Sequence, residues 1–459
     1  MKEQSTEPKP AAVERKGLSP TFPKQAGEAQ DPKSWVERVV WTERMLERLA
    51  QSQEQTVWYS LWDKVWSQAN LDQAILKVIL NRGGAGVDRY TTEQLKEQWE
   101  QQGAQLREEL KGGTYQPKPA RRVWIPKLGS TEWRPLGIPA VRDRVVQTAL
   151  RAVLEPIFER EFARQSYGFR PQRGALAALE RVESLLRSGN TWIVDADLKS
   201  YFDTIPHQRL MQLIERRIAD GKVLRLLEQY LKAGVMDSHK GWQATEQGTP
   251  QGSGISPLLA NLYLNPLDHR MAKAGWEMVR YADDFVVCAR TEAEAQAALE
   301  DIAAWVKEAG LRLHPTKTRI VNAAHRGGFD FLGYHFEQYG PEGGKKWPRQ
   351  KSQFKLRESL REKLSRSRPG SVQQIATDIN RTLQGWYTYF KWSQPTAMKR
   401  VDEWTRERIR HILRRRHKRR GMVRGRERNE YRVPWFAEQG LFSLTKAQAQ
   451  WLQSLAGNH

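Results

Sequence analysis

Apolar positions recur along the chain at two periods, and each change of period marks an element. Trp35, Val39, Trp41, Leu46 and Leu49 follow helical spacing, as do Tyr59, Trp62, Val65 and Trp66. Ile75, Val78, Ile79 and Leu80 lead into the glycine-rich stretch 81–88. Its spacing fits neither a Walker loop nor a dinucleotide fingerprint, so it predicts a connection into a helix capped by Thr91 or Thr92. Residues 123–127 and 133–139 predict two short strands around the turn 128–131. Helical spacing returns over 141–159 and 175–186, interrupted by Ser166-Tyr167-Gly168-Phe169-Arg170-Pro171. An apolar strand over 191–197 ends in acids, and 279–281 with 285–289 predict a hairpin tipped by Asp283 and Asp284. Between these, the glycine-rich loop 247–257 feeds an apolar helix at 258–264, with Ser256 as N-cap and Pro257 at N1. A helix is predicted over 293–309, and residues 329–336 alternate as one half-buried strand. The Gly-, Pro- and Lys-rich stretch 339–348 marks a boundary. Beyond it, Val372, Ile375, Ile379, Leu383, Trp386, Tyr389 and Phe390 form the core stripe of a helical unit.

Composition sharpens this picture in three places. With 459 residues, 39% hydrophobic and 28% charged, the chain can fold two or three domains with real cores. The net charge of +22 is concentrated: residues 345–430 hold 26 lysines and arginines against 8 acids. That density predicts a polyanion partner, nucleic acid, bound with steep salt dependence. The single cysteine, Cys288, excludes a disulfide framework and any cysteine-based zinc cluster, which favours a reduced, cytoplasmic setting. No apolar run approaches the length of a membrane span, so no membrane partner is expected. Residues 1–32 are polar and aperiodic and predict a disordered leader.

The chemistry gathers around Tyr281-Ala282-Asp283-Asp284. Side chains alternate along a strand, so two adjacent aspartates converge only if the backbone turns between them. Their mutual repulsion is relieved by a divalent cation. Asp195 and Asp197 share a strand face, and either is placed to join that site. Asp203 lies past the strand and is placed to start the helix after Pro206. Upstream, Arg121, Arg122, Lys127 and Arg134 lie on the hairpin of the 115–139 stretch, where cations suit an incoming triphosphate or a nucleic acid backbone. Gly252 and Gly254 allow a nucleotide to approach the backbone closely. Carboxylates from separate elements could hold two magnesium ions about 3.5–4 Å apart, and such a site needs no Ser, Cys or His nucleophile.

Asp197-Leu198-Lys199-Ser200-Tyr201-Phe202-Asp203, then Pro250-Gln251-Gly252, then Tyr281-Ala282-Asp283-Asp284, resembles the motif order of reverse transcriptases. Leu383-Gln384-Gly385-Trp386-Tyr387-Thr388-Tyr389-Phe390 resembles the maturase-specific thumb signature. Residues 83–420 therefore resemble a bacterial group II intron-encoded reverse transcriptase and maturase. The resemblance implies an α+β right hand of fingers and palm, followed by a helical thumb. After the leader at 1–32, which lies outside the family pattern, the division is a helical extension and start of fingers at 33–110 and fingers and palm at 111–342. A thumb at 343–430 and a short tail at 431–459 complete it. The resemblance implies that Asp197, Asp283 and Asp284 bind Mg²⁺ or Mn²⁺ with the Leu198 carbonyl, and that Asp195 only supports the strand. Lys127 and Arg134 would grip the triphosphate of a dNTP, Gln251 would pack on it, and Phe202 would reject a ribose 2′-hydroxyl. Arg170, Lys317, Arg414, Arg415, Arg416, Lys418, Arg419 and Arg420 would contact nucleic acid. The implied partners are intron RNA, an RNA template with a DNA or RNA primer, and target DNA, with a homodimer left open. The endonuclease carried by many relatives is expected to be absent. A splicing factor without polymerase activity and a domesticated or CRISPR-associated enzyme stand as alternatives.

Overall fold

The computed structural model describes residues 35–53, 56–126, 133–365, 368–419, 421–423 and 425–456. The leader 1–32, Lys127 with the turn 128–131, and Arg420 lie outside them. The strands, in chain order, are β1 (Ala120–Pro126), β2 (Trp133–Ile138), β3 (Trp192–Asp197), β4 (Val235–Asp237), β5 (Gly241–Gln243) and β6 (Glu277–Tyr281). They continue with β7 (Asp284–Ala289), β8 (Arg319–Asn322), β9 (Phe329–Phe331), β10 (Tyr334–Gly340) and β11 (Gly343–Pro348). They form three sheets, ordered β2-β1-β4-β5, β6-β7-β3-β8 and β11-β10-β9. With helices before, between and after them, the fold is α+β.

Packing gathers the described residues into two units, 35–185 with 190–322, and 323–456 with the short segment 186–189. In the larger unit the β6-β7-β3-β8 sheet packs against Ser256–Lys273 and Glu292–Glu308. Helix Val141–Glu159 is the spine of the core, burying Val145, Val146, Ala149, Leu150, Val153 and Leu154 completely or nearly so. Each such valine or leucine contributes about 1.5–3 kcal/mol of burial. Of the first aromatic stripe, Trp41, Leu46 and Leu49 are buried while Val39 is exposed, and the stripe is not helical throughout. Its helix begins only at Glu43, capped by Thr42, while the indole of the fully buried Trp41 donates to the Ala152 carbonyl at 3.1 Å. Likewise only Trp62–Val65 is helical in the second stripe, and the Asp220 carboxylate accepts the Leu61 and Trp62 amides at 2.8 Å each. Thr91 does cap its helix, in a capping box with Gln94. The glycine stretch before it packs close: a Cβ on Gly86 would meet the Ala140 backbone at 2.5 Å.

The second unit begins earlier than the expected 343, because β9–β11 belong to it. The Tyr334 ring packs at a tilt 5.0 Å from Phe390, and the Tyr389 hydroxyl donates to the Leu332 carbonyl at 2.8 Å. The single strand expected over 329–336 is two, broken where Leu332 (φ +45°) and Gly333 (φ +87°) turn the chain. The predicted stripe lies on helix Val372–Phe390, with Ile375, Ile379 and Leu383 fully buried. The tail from 431 is not separate: Asp402 accepts from the amides of Leu444 and Thr445, and Trp451 packs edge-on against Trp392 at 4.3 Å.

Candidate active site

β6 and β7 form a tight hairpin in which Tyr281 faces Asp284, leaving Ala282 and Asp283 as its turn. Ala282 takes the left-handed conformation (φ +60°), and this reversal lets Asp283 leave the strand direction. β3 lies antiparallel beside β7, with Asp197 directly opposite Asp284. Cross-strand partners project on the same face, so sheet register alone brings Asp197 and Asp284 to one end of one face.

A buried arginine holds this turn. Arg280 is 0% exposed, and its guanidinium donates to Asp268 (Nε–Oδ1 2.7 Å), Asn261 (2.9 Å), the Ser166 hydroxyl (2.7 Å) and the Ala282 carbonyl (2.8 Å). Asn261 in turn donates to the Gly168 carbonyl at 2.8 Å, and the Tyr167 amide donates to the Arg280 carbonyl at 2.8 Å. A Cβ on Gly168 would lie 2.2 Å from the Ala282 nitrogen. The 166–170 motif is therefore the brace of the aspartate turn. Sequence reasoning passed over Arg280, although a charged residue within the apolar run Met278-Val279-Arg280-Tyr281 was its signal.

Burial pushes the Asp283 carboxyl above the ordinary carboxylate range, and the negative charge of Asp197 raises it further, against the opposing pull of Arg280 and Lys317. Lys317 donates its ammonium to Asp197 Oδ2 at 2.7 Å, so the structure sets it on a carboxylate rather than on an open nucleic acid surface. Asp195, the other candidate, faces Arg319 at 3.3 Å, consistent with strand support. Among the described residues no three carboxylate, imidazole or thiolate groups form a preassembled metal cluster. The donor set nevertheless fits a divalent metal: the half-buried Asp283 carboxylate feels the charge of Asp197, whose own counter-ion is a 59% exposed lysine.

The remaining candidates surround this point. Leu198 is buried, bridged to Leu313. Phe202 lies on helix Tyr201–Thr204, its ring 6.4 Å from Phe169, and its carbonyl accepts the Thr249 amide at 2.7 Å. The Gln251 carbonyl accepts the Gly137 amide at 2.8 Å, so the 247–255 loop ties Phe202 to the base of β2. Gly252 (φ +116°) sits against the Gly137 carbonyl, where any Cβ would clash. Arg134 is exposed on β2, opposite Ile125.

Four expectations need correction. Arg170 is buried and donates to Glu159 and to the Ala163 and Ser166 carbonyls (2.7 and 2.9 Å), so it anchors the 166–170 brace and presents no charge to nucleic acid. Ser256 is the first helical residue, with Ile255 as cap, and its hydroxyl donates to the Pro250 carbonyl. Asp203 lies inside Tyr201–Thr204 and caps nothing, since helix His207–Glu215 follows Pro206 without a side-chain cap. In the basic run, Arg414 and Arg419 pair with the buried Glu427, which leaves Arg415, Arg416 and Lys418 exposed.

Residues 125–336 match the family described as reverse transcriptase (RNA-dependent DNA polymerase), and residues 354–431 match the group II intron maturase-specific domain. Protein YkfC of Escherichia coli (strain K12) is 39% identical over 268 residues, 50% of this chain and 69% of YkfC. The chain belongs to the group II intron reverse transcriptases. Group II intron-encoded protein LtrA of Lactococcus lactis subsp. cremoris is 46% identical over 161 residues, 35% of this chain but only 26% of LtrA. Among solved structures, the partial Cas6-RT-Cas1–Cas2 complex overlaps 56% of this chain and 42% of its own at 23% identity. Its TM-score of 0.35 is too low to carry an argument. As a reverse transcriptase the protein is an RNA-directed DNA polymerase, in a family that uses divalent metal ions. No helix among the described residues is long and apolar enough to cross a membrane.

Proposed function

We propose that this reverse transcriptase binds the group II intron RNA that encodes it, assists its splicing and copies it into DNA during retrohoming. Asp197, Asp283 and Asp284 are the metal-holding carboxylates in this reading, and magnesium, or manganese with its similar preference for oxygen donors, is the metal. When bound, two such ions supply the Lewis acidity that activates a primer 3′-hydroxyl and stabilises departing pyrophosphate. The chain's own groups do the rest. Arg280 fixes the turn that presents Asp283, Lys317 neutralises Asp197 in the absence of a cation, and Arg134 with Lys127 would grip the dNTP triphosphate. Gln251 packs on the nucleotide and Phe202 excludes a 2′-hydroxyl. Residues 35–322 serve as extension, fingers and palm, and residues 323–431 as thumb and maturase unit, whose exposed Arg415, Arg416 and Lys418 take RNA phosphates.

The observation that carries the reading is the register that sets Asp197 directly opposite Asp284 at the end of the β3-β7 pair, beside the turn that presents Asp283, with Lys317 as the exposed counter-ion of Asp197. Asp283→Ala tests it by primer extension on an RNA template, alongside filter binding of the intron RNA. Extension should vanish while RNA affinity stays within about twofold. Extension that persists overturns the assignment.

A further inference from the structure

The β1-β2 hairpin has two faces, and register separates them. Ile125 pairs with Arg134, Trp124 with Pro135, and Pro126 with Trp133. Cross-strand partners share a face and successive residues alternate, so Trp124, Pro126, Trp133 and Pro135 occupy the face opposite Arg134. On that face both indoles are open to solvent, Trp124 at 46% and Trp133 at 58%. They are diagonal neighbours, about 7–8 Å apart along the sheet.

The face is also charged and ordered. Arg122, on the same face, places its guanidinium 5.9 Å from the Trp124 ring and donates from Nη1 to Gln243 at 2.5 Å. The Trp124 indole N–H donates to Asp237 Oδ2 at 3.3 Å, which holds that ring in one orientation. Of the three arginines on the described residues of β1 and β2, Arg122 alone shares this face, while Arg121 and Arg134 lie on the opposite one. Two exposed tryptophans with an arginine beside one of them are costly as a bare surface. They match what unpaired bases need: flat aromatic faces for stacking and cations for the backbone.

We propose that the Trp124–Trp133 face is a stacking platform for an unpaired stretch of RNA, distinct from the triphosphate-facing side that carries Arg134. The proposal rests on the reading of the chain as a nucleic acid polymerase, yet it assigns these tryptophans no part in the chemistry. Single-stranded RNA held there would be kept unfolded and close to the fingers, where a structured template benefits most.

The test uses the full-length protein and a 5-bromouridine-substituted oligouridylate, with blunt primer–template duplex in excess to fill the catalytic cleft. After irradiation, peptides containing Trp124 or Trp133 should carry the label. Trp124→Ala with Trp133→Ala should weaken oligouridylate binding by at least about tenfold, with an unchanged salt slope, because stacking releases no counterions. Trp124→Phe with Trp133→Phe should retain most of the affinity, and both double variants should melt as the parent does and extend a short unstructured template normally. The proposal falls if the label appears elsewhere, if blunt duplex displaces the oligomer, if the alanine variant binds unchanged or if its salt slope becomes shallower. It also falls if that variant turns a dimer into a monomer in sedimentation, which would make the face an interface between copies. Asp283→Ala should leave the crosslink intact, so failure of the platform and failure of the polymerase reading are separable.

Discussion

The end of β6 and the end of helix Pro395–Arg416 both carry arginine, and they use it in opposite ways. At β6, Arg280 is completely buried and directs its donors to Asp268, Asn261, Ser166 and the Ala282 carbonyl. At the helix end, Arg415, Arg416 and Lys418 stand exposed. A buried guanidinium has to be matched donor by donor, because desolvation makes each unmatched one costly. An exposed one keeps its hydration until a phosphate replaces it. The same residue type is architecture in one region and a binding surface in the other, and burial decides which.

The comparison breaks first at Arg280. Arg280→Gln leaves Asp268 as an unpaired buried charge and should destabilise the protein by about 3–5 kcal/mol, measured by denaturant unfolding. Primer extension should fall with it, since the Ala282 carbonyl loses its donor. Arg280→Lys keeps the charge without the planar fork and should fall between the two. A glutamine variant as stable as the parent would deny the buried arginine its structural role.

Asp143 sharpens the same rule for an acid. Burial pushes its carboxyl up to about 6, although it accepts from the Tyr115 hydroxyl and from the Lys118 amide at 3.1 Å. The folded value lies above the ordinary one, so the fold favours the protonated acid. The stability this group contributes is complete below about pH 4 and is lost as pH rises through about 6, by roughly 3 kcal/mol. Asp143→Asn should flatten that dependence and gain most above pH 6, read from unfolding midpoints across the range. An unchanged profile would place the titration elsewhere.

The smallest effect on stability belongs to the exposed cations. Arg415→Gln with Lys418→Gln should shift unfolding by no more than about 0.5 kcal/mol. The slope of RNA affinity against salt should become shallower by about 1.4, which is about 0.7 for each single-strand phosphate that the protein no longer neutralises. A large stability loss with an unchanged slope would reverse the comparison.

Arg170 shows how far sequence reading reached. Next to a glycine and an aromatic, and in a strongly basic chain, it reads as a phosphate ligand, yet it lies buried against Glu159, 11 residues earlier in the chain. No local pattern encodes that pairing. That Asp283 and Asp284 could meet an acid of the 191–197 strand was legible because strand parity and a turn between adjacent acids are local consequences of backbone geometry, while parity left Asp195 and Asp197 equal and only the motif resemblance chose Asp197. The expected strand at 329–336 was misread because aromatic alternation does not reveal a left-handed pair such as Leu332 and Gly333.

By itself the sequence determined the motif order, the helical and strand periods, the concentration of cations at 345–430 and the acids that could meet. These follow from side-chain chemistry and from backbone repeats of two and 3.6 residues. Only the tertiary structure decided that Arg280 clamps the aspartate turn through Ser166 and Asn261, that Lys317 faces Asp197, and that β9–β11 join the helical unit. It also separated the two tryptophans from Arg134 on opposite faces of one hairpin. The buried contacts depend on which distant groups lose their water together, a property of packing rather than of spacing, and the two faces of the hairpin depend on the register that sets Trp124 across from Pro135.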